Sequence, residues 1–81
     1  MDVRVLAFAR VREILGTNES IHSLATAATI ADLWERLETS APALCSFRTS
    51  IRFARNGNIV PAQTALCDGD EVALLPPVSG G

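Results

Sequence analysis

Few side chains in this sequence can do chemistry by themselves. There is one histidine, His22, and there are two isolated cysteines, Cys45 and Cys67. One histidine and two separated thiols assemble neither a nucleophile–base–orienter set nor the four ligands of a structural zinc site. No metal site is therefore expected. The cysteines, lacking a CxxC spacing, are expected to be small buried hydrophobes. What remains is the closing stretch Pro76-Pro77-Val78-Ser79-Gly80-Gly81. Two prolines fix φ and donate no hydrogen bond, so a strand ending there must leave its sheet extended. Val78 and Ser79 are small. Gly80 and Gly81 carry no Cβ and fit a channel that any other residue would block. The reactive group is then the α-carboxylate of Gly81 on a thin arm, with Gly80 giving clearance.

A carboxylate is inert until one oxygen becomes a leaving group. Adenylation by ATP achieves that, and the acyl-adenylate is open to sulfide, persulfide, thiol or amine. The chain has no GxxxxGK[ST] and no GxGxxG after a strand, so the activating nucleotide site must belong to another enzyme. All seven cations are arginines and lysine is absent. No internal ε-amine competes for an activated carboxyl.

The elements that must hold this arm follow from hydrophobic periodicity. The stretch 3–9 is β-branched and apolar and reads as a strand, with Val3 and Val5 on one face and Arg4, Leu6 and Phe8 on the other. Val11, Ile14 and Leu15 at i, i+3, i+4, with Gly16 after them, predict a short helix over 10–15. Residues 19–24 alternate and are expected to return as an antiparallel strand with His22 on its solvated side. Thr29 with Asp32 predicts a capped helix whose apolar face is Ile30, Leu33, Trp34 and Leu37; Trp34 is expected in the core. Pro42 ends that helix. From Ile51 the pattern is β again, punctuated by Asn56-Gly57 and by Asp68-Gly69-Asp70. The fold class is α+β: one main helix across a mixed, mostly antiparallel sheet, with a domain over 1–75 and a tail over 76–81.

One helix covers one face of a sheet. If the valines of the first and last strands face it, Phe8 and Leu75 point the other way, joined by Ile59. An exposed apolar patch of this kind marks a partner surface. The competing expectation is that the loop 41–50 covers it.

Length and charge set the remaining bounds. Eighty-one residues at 48% hydrophobic make one small domain, burying about 60–65% of its unfolded surface. A net charge of −2 without a basic cluster argues against nucleic acid. No apolar run reaches the ~18 residues of a membrane span, and the start lacks the basic region of a signal peptide, so no membrane association and a cytoplasmic location are expected.

The opening VRVLAFARVREILGT, the stretch FARNGNIV and the closing DGDEVALLPPVSGG together resemble the small subunit of molybdopterin synthase, a ubiquitin-like β-grasp sulfur carrier. The closing motif is the specific part; the stretch 25–50 is only compatible. The resemblance implies that an E1-like adenylating enzyme uses ATP on Gly81, and that no cofactor is bound by the chain itself. A sulfur donor such as a cysteine desulfurase or rhodanese then yields a thiocarboxylate. The loaded tail threads into the large, catalytic subunit and delivers sulfur to cyclic pyranopterin monophosphate, in a heterotetramer. Two sulfurs per dithiolene require exchange of carriers, and the small subunit alone has no activity. By the same resemblance Phe8, Ile59, Leu75, Pro76, Pro77, Val78 and Ser79 meet the partners. Arg10 and Arg12 lie near that surface, although a solvated helix start explains them equally well. Ala7 stands where relatives carry a bulky aromatic. Two alternatives stay open: a β-grasp carrier for thiamine or cysteine synthesis, and a ubiquitin-type modifier or interaction module. Thiamine carriers are shorter and lack the ARVREILG turn and the Pro-Pro pair, and the missing lysines argue against chain-forming conjugation.

Overall fold

The computed structural model describes residues 1–77. The chain runs β1 (Asp2–Ala7), α1 (Ala9–Leu15), β2 (Glu19–Ser23), α2 (Ile30–Ser40), a 3-10 helix (Pro42–Phe47), β3 (Arg52–Arg55), β4 (Asn58–Val60) and β5 (Glu71–Leu75). The five strands form one sheet in the order β2-β1-β5-β3-β4. Only the central β1–β5 pair is parallel; the other three pairings are antiparallel. Side chains alternate across the pleat, and the set facing α2 is Val3, Val5 and Ala7 of β1, Phe53 of β3, and Val72 and Leu74 of β5; Ala54 of β3 faces the other way and is also buried, at 8% exposure. The α2 face of Ile30, Leu33, Trp34 and Leu37 packs on the former set. Trp34 meets Phe53 edge-on at 5.8 Å between ring centroids, a favoured aromatic geometry.

Helix α2 begins as its sequence predicts. Asp32 N–H donates to Thr29 Oγ1 at 3.2 Å, and Thr29 N–H donates back to Asp32 Oδ2 at 2.9 Å. Two of the orphan donors of the first turn are thereby satisfied. Thr29→Ala is expected to lower stability by about 1 kcal/mol, read as a shift of the denaturant midpoint at constant m.

Four expectations need correction. β1 ends at Ala7, two residues early, because Ala9 is held at φ 50° and already opens α1. That left-handed conformation costs an L-residue about 1–2 kcal/mol and turns the chain sharply behind Phe8. His22 is not on the solvated side of β2: it lies opposite Val3 and is half-buried, while Ile21 points outward. Burial, and then the charge of Arg36, lower the His22 pKa below its ordinary value. Cys45 and Cys67 are both exposed rather than core. Lastly, the stretch 41–50 is not a loop over the open face. Pro42 starts the 3-10 helix, and its Leu44 is fully buried in the core beside α2 and α1. Arg48, just after it, is clamped to Glu38 of α2 at 2.6 Å, and Glu38 also accepts the Trp34 indole N–H at 2.5 Å. That stretch thus thickens the helical layer. No described helix packs on the opposite face of the sheet.

Candidate functional site

Strand register lays out the uncovered face. Leu6 of β1 is opposite Ala73 of β5, Ala73 is opposite Ala54 of β3, and Ala54 is opposite Ile59 of β4. An apolar row therefore crosses four strands at one level. Ile59 stands 60% exposed at its end. Just past the last β1–β5 pair, Ala7 opposite Leu74, come Phe8, 46% exposed, and Leu75, which pairs with Arg52. The half-buried Pro76 and the exposed Pro77 follow directly. The row leads to the root of the tail.

The level below is polar. Arg4 lies opposite Glu71 and bonds its carboxylate, with Glu19 3.9 Å away. This pair is half-exposed and contributes little to stability, but it bounds the apolar row on one side. Ile21, 62% exposed on β2, lies beyond it.

Local structure aims the outer residues. Asn56 at φ 50° and Gly57 at φ 88° make the two-residue hairpin turn that needs two positive φ values, and so fix the register that turns Ile59 outward. The start of β5 is held by Asp70. Its carboxylate accepts the Cys67 N–H at 2.8 Å and the Asn56 side-chain N–H at 3.0 Å, while Asn56 Oδ1 accepts the Glu71 N–H at 2.9 Å. Burial alone would raise the Asp70 pKa; the Cys67 N–H, the Asn56 amide and the charge of Arg55 outweigh it and hold it below the usual carboxylate range. With its start pinned to two loops and both edges paired, β5 is a rigid rod ending at Pro76.

The structure thus brings together Phe8, Ile59, Leu75, Pro76 and Pro77 of the predicted site. Val78, Ser79, Gly80 and Gly81 lie outside the described residues. Arg10 is paired with Glu13 at 2.9 Å, and Arg12 sits one turn after Phe8. Sequence reasoning missed Leu6, Ala54 and Ala73, which make the row continuous. For Leu6 and Ala73 the signal was phase, each lying two residues from an outward position, Phe8 or Leu75; Ala54 is placed only by its pairing with Ala73 and Ile59. It also missed Arg52. Among the described residues there is no metal-ligating cluster of His, Cys, Asp or Glu, and no helix is long and apolar enough to cross a membrane. His22 lies on the edge strand β2, with Ser20 Oγ 2.9 Å from its Nε2.

Comparison with known proteins agrees with this geometry. The family model described as ThiS family matches residues 5–81. The molybdopterin synthase sulfur carrier subunit of Chlamydomonas reinhardtii is 43% identical over 83 residues, covering 100% of both chains. Among solved structures, SAMP1 from Haloferax volcanii, a small archaeal modifier protein, superposes with a TM-score of 0.87 at 32% identity over 100% of each chain. The complex of subunits 1 and 2 of the molybdopterin-converting factor from Helicobacter pylori contains a chain matching at 26% identity and a TM-score of 0.69, again over 100% of both. The sheet with one helix laid across it is a ubiquitin-like β-grasp. With a family model spanning nearly the whole chain and a full-length relative at this identity, the chain belongs to the ThiS family, on the side of it that includes the molybdopterin synthase sulfur carrier subunits.

Proposed function

We propose that this chain is a sulfur carrier of molybdenum-cofactor biosynthesis. It loads sulfur on the carboxyl of Gly81 and presents it to the large subunit of molybdopterin synthase. The observation that carries the reading is the apolar row from Leu6 to Ile59 lying beside Leu75 and Pro76, after which the sequence runs to Gly-Gly. Residues 1–75 serve as the docking body and 76–81 as the arm. The likeness to a chain of the subunit 1 and 2 complex supports the choice of partner.

The chemistry belongs to the arm and to other enzymes. An E1-like adenylating enzyme joins the Gly81 carboxylate to AMP and releases pyrophosphate from ATP. Hydrosulfide attacks the acyl carbon and AMP departs with the C–O bonding pair, leaving a thiocarboxylate. A cysteine desulfurase or rhodanese carries that sulfur as a persulfide, and a thiol reductant releases it as hydrosulfide while the two remaining sulfurs join as a disulfide. The sulfur then passes to cyclic pyranopterin monophosphate within the large subunit, and two loaded carriers complete one dithiolene. The chain binds no cofactor of its own and works in the cytoplasm. Phe8, Ile59 and Leu75 dock, Pro76 and Pro77 direct the arm, and Val78, Ser79 and Gly80 keep it thin.

The test is an incubation of the purified chain with the adenylating enzyme, ATP and sulfide, read by intact mass. A gain equal to exchanging one oxygen for sulfur, mapped to Gly81, is the expected outcome. The likeness to SAMP1 favours a second reading, a protein modifier. Under it the same carboxyl appears as an amide on another protein, and the sulfur-loaded mass is absent.

Docking on the open face has its own test. Phe8 and Ile59 are already solvent-exposed, so Phe8→Arg and Ile59→Arg are each expected to change stability by less than about 1 kcal/mol. Each should weaken binding to the large subunit at least about tenfold, as loss of an apolar anchor does. A large fall in melting temperature with unchanged binding would assign these side chains to the core instead.

A further inference from the structure

The charge of this chain is unevenly placed. Its net charge is −2. Asp2, Asp68, Asp70 and Glu71 gather where the parallel strands β1 and β5 begin, with Arg4 and Arg55 among them, while Arg10, Arg12 and Arg52 lie where they finish, with Glu13 and Glu19. Most of the arginines are committed within the chain. Arg4 pairs with Glu71 and Glu19, Arg10 with Glu13, and Arg48 with Glu38. Arg36 and Arg55 donate to the carbonyls of Ser23 and Ala65 at 2.6 and 3.0 Å. Arg12 and Arg52 have neither an ion pair nor a side-chain hydrogen bond among the described residues. Of these two, Arg52 sits at the root of the arm: it is directly opposite Leu75, exposed, and on the same face as Ala54 two residues on.

A guanidinium at that place is awkward for an apolar docking face. When a partner covers Leu75, it also takes Arg52 out of water, and a cation desolvated without a counter-charge weakens the complex. A partner that binds tightly must therefore offer a carboxylate, which a guanidinium fork accepts in bidentate geometry. Within an otherwise acidic chain, the same cation turns the arm end toward a negative partner surface and raises the rate of productive encounter. We propose that Arg52 is a specificity-determining residue for docking: the protein that receives the arm presents an Asp or Glu beside the root of the tail, and Arg52 reads it. This rests on the sulfur-carrier reading and adds the chemistry of the partner surface to it.

The experiment measures affinity of the full chain for the large subunit of molybdopterin synthase from the same organism, at low and at high salt. The wild type is compared with Arg52→Gln, Arg52→Glu and Leu75→Arg. Arg52→Gln is expected to weaken binding about five- to tenfold at low salt, and Arg52→Glu at least about tenfold more, in line with close interfacial charge pairs. Both should flatten the salt dependence and leave the melting temperature unchanged. Replacing the facing carboxylate of the large subunit by Lys should restore the Arg52→Glu complex and weaken that of the wild type. If Arg52→Glu binds like the wild type at low salt while Leu75→Arg abolishes binding, the charge reading is overturned and the docking face stands. If the wild type itself neither binds the large subunit nor takes up sulfur, the carrier reading falls and this inference falls with it.

Discussion

Removal of Gly81, or addition of a single residue after it, is expected to abolish sulfur loading entirely while leaving the folded domain intact. In the proposed chemistry the carboxyl of Gly81 is the only reacting group the chain contributes. Shortening the arm by one residue withdraws that group by about 3.3–3.6 Å. A displacement of even ~1 Å from a reacting geometry costs about a hundredfold in rate. Lengthening by one residue moves the carboxylate as far the other way and adds a side chain where Gly80 and Gly81 keep the arm thin. The core is untouched by either change, because it is built from α2 and the sheet up to Leu74. The measurement is intact mass after incubation with the activating enzyme, ATP and sulfide, alongside a thermal melt. Unchanged loading by the truncated chain would sink the Gly81 mechanism; a collapsed melting temperature would show that the arm is part of the fold.

Asp70→Ala is expected to be the most damaging change to a polar residue, lowering stability by about 2–4 kcal/mol. The carboxylate is 9% exposed and serves two donors, the Cys67 N–H and the Asn56 side chain. Each of these part-buried hydrogen bonds to a charged group is worth about 1.5–3 kcal/mol, and water replaces part of what is lost. A domain of this length has only about 4–12 kcal/mol in total, so the loss is a large share. Asn56 itself bonds the Glu71 N–H, and loosening it frees the start of β5 and therefore the base of the docking rod. The effect has a pH signature. The folded carboxyl titrates below its ordinary value, so the native state binds fewer protons than the unfolded chain as acid is added. Its contribution is fully present above the unfolded pKa of about 4 and is lost as pH falls through the folded value. Asp70→Asn is expected to remove this part of the acid sensitivity while costing less at neutral pH than Asp70→Ala, since the amide oxygen still accepts. Denaturant midpoints across pH 2–7 would check both statements. Equal acid slopes for wild type and Asp70→Asn would show that other carboxyls set the acid limb.

Residues with strong local signals were read correctly because their physics is local. Thr29 and Asp32 satisfy each other three residues apart, and Asn56-Gly57 needs only its own two backbone angles. The outward phase of Phe8 and Leu75 follows from strand pleating, and their neighbours stayed buried as expected. The misses involve contacts between distant segments. His22 and Ile21 alternate equally well in either phase; only pairing of His22 with Val3 decides which one turns inward. The stretch after Pro42 has no long periodicity, and its helical turn exists because Leu44 finds a cavity beside α2 and α1. Cys45 and Cys67 resemble core residues by type, but in each segment the preceding leucine, Leu44 or Leu66, takes the buried position and the cysteine is left exposed. The apolar row from Leu6 to Ile59 belongs to four strands and is visible only once their register is known.

The sequence by itself determined the capped helix, the hairpin turn and the outward phase of Phe8 and Leu75, since each depends on residues within a few positions of one another. Tertiary structure alone decided the parallel pairing of β1 with β5, the side of the sheet taken by the 3-10 helix, and the placing of Arg52 against Leu75. Those outcomes depend on which distant segments win the competition to bury apolar surface against one another. That competition is settled by the whole chain at once, and no short window of residues contains it.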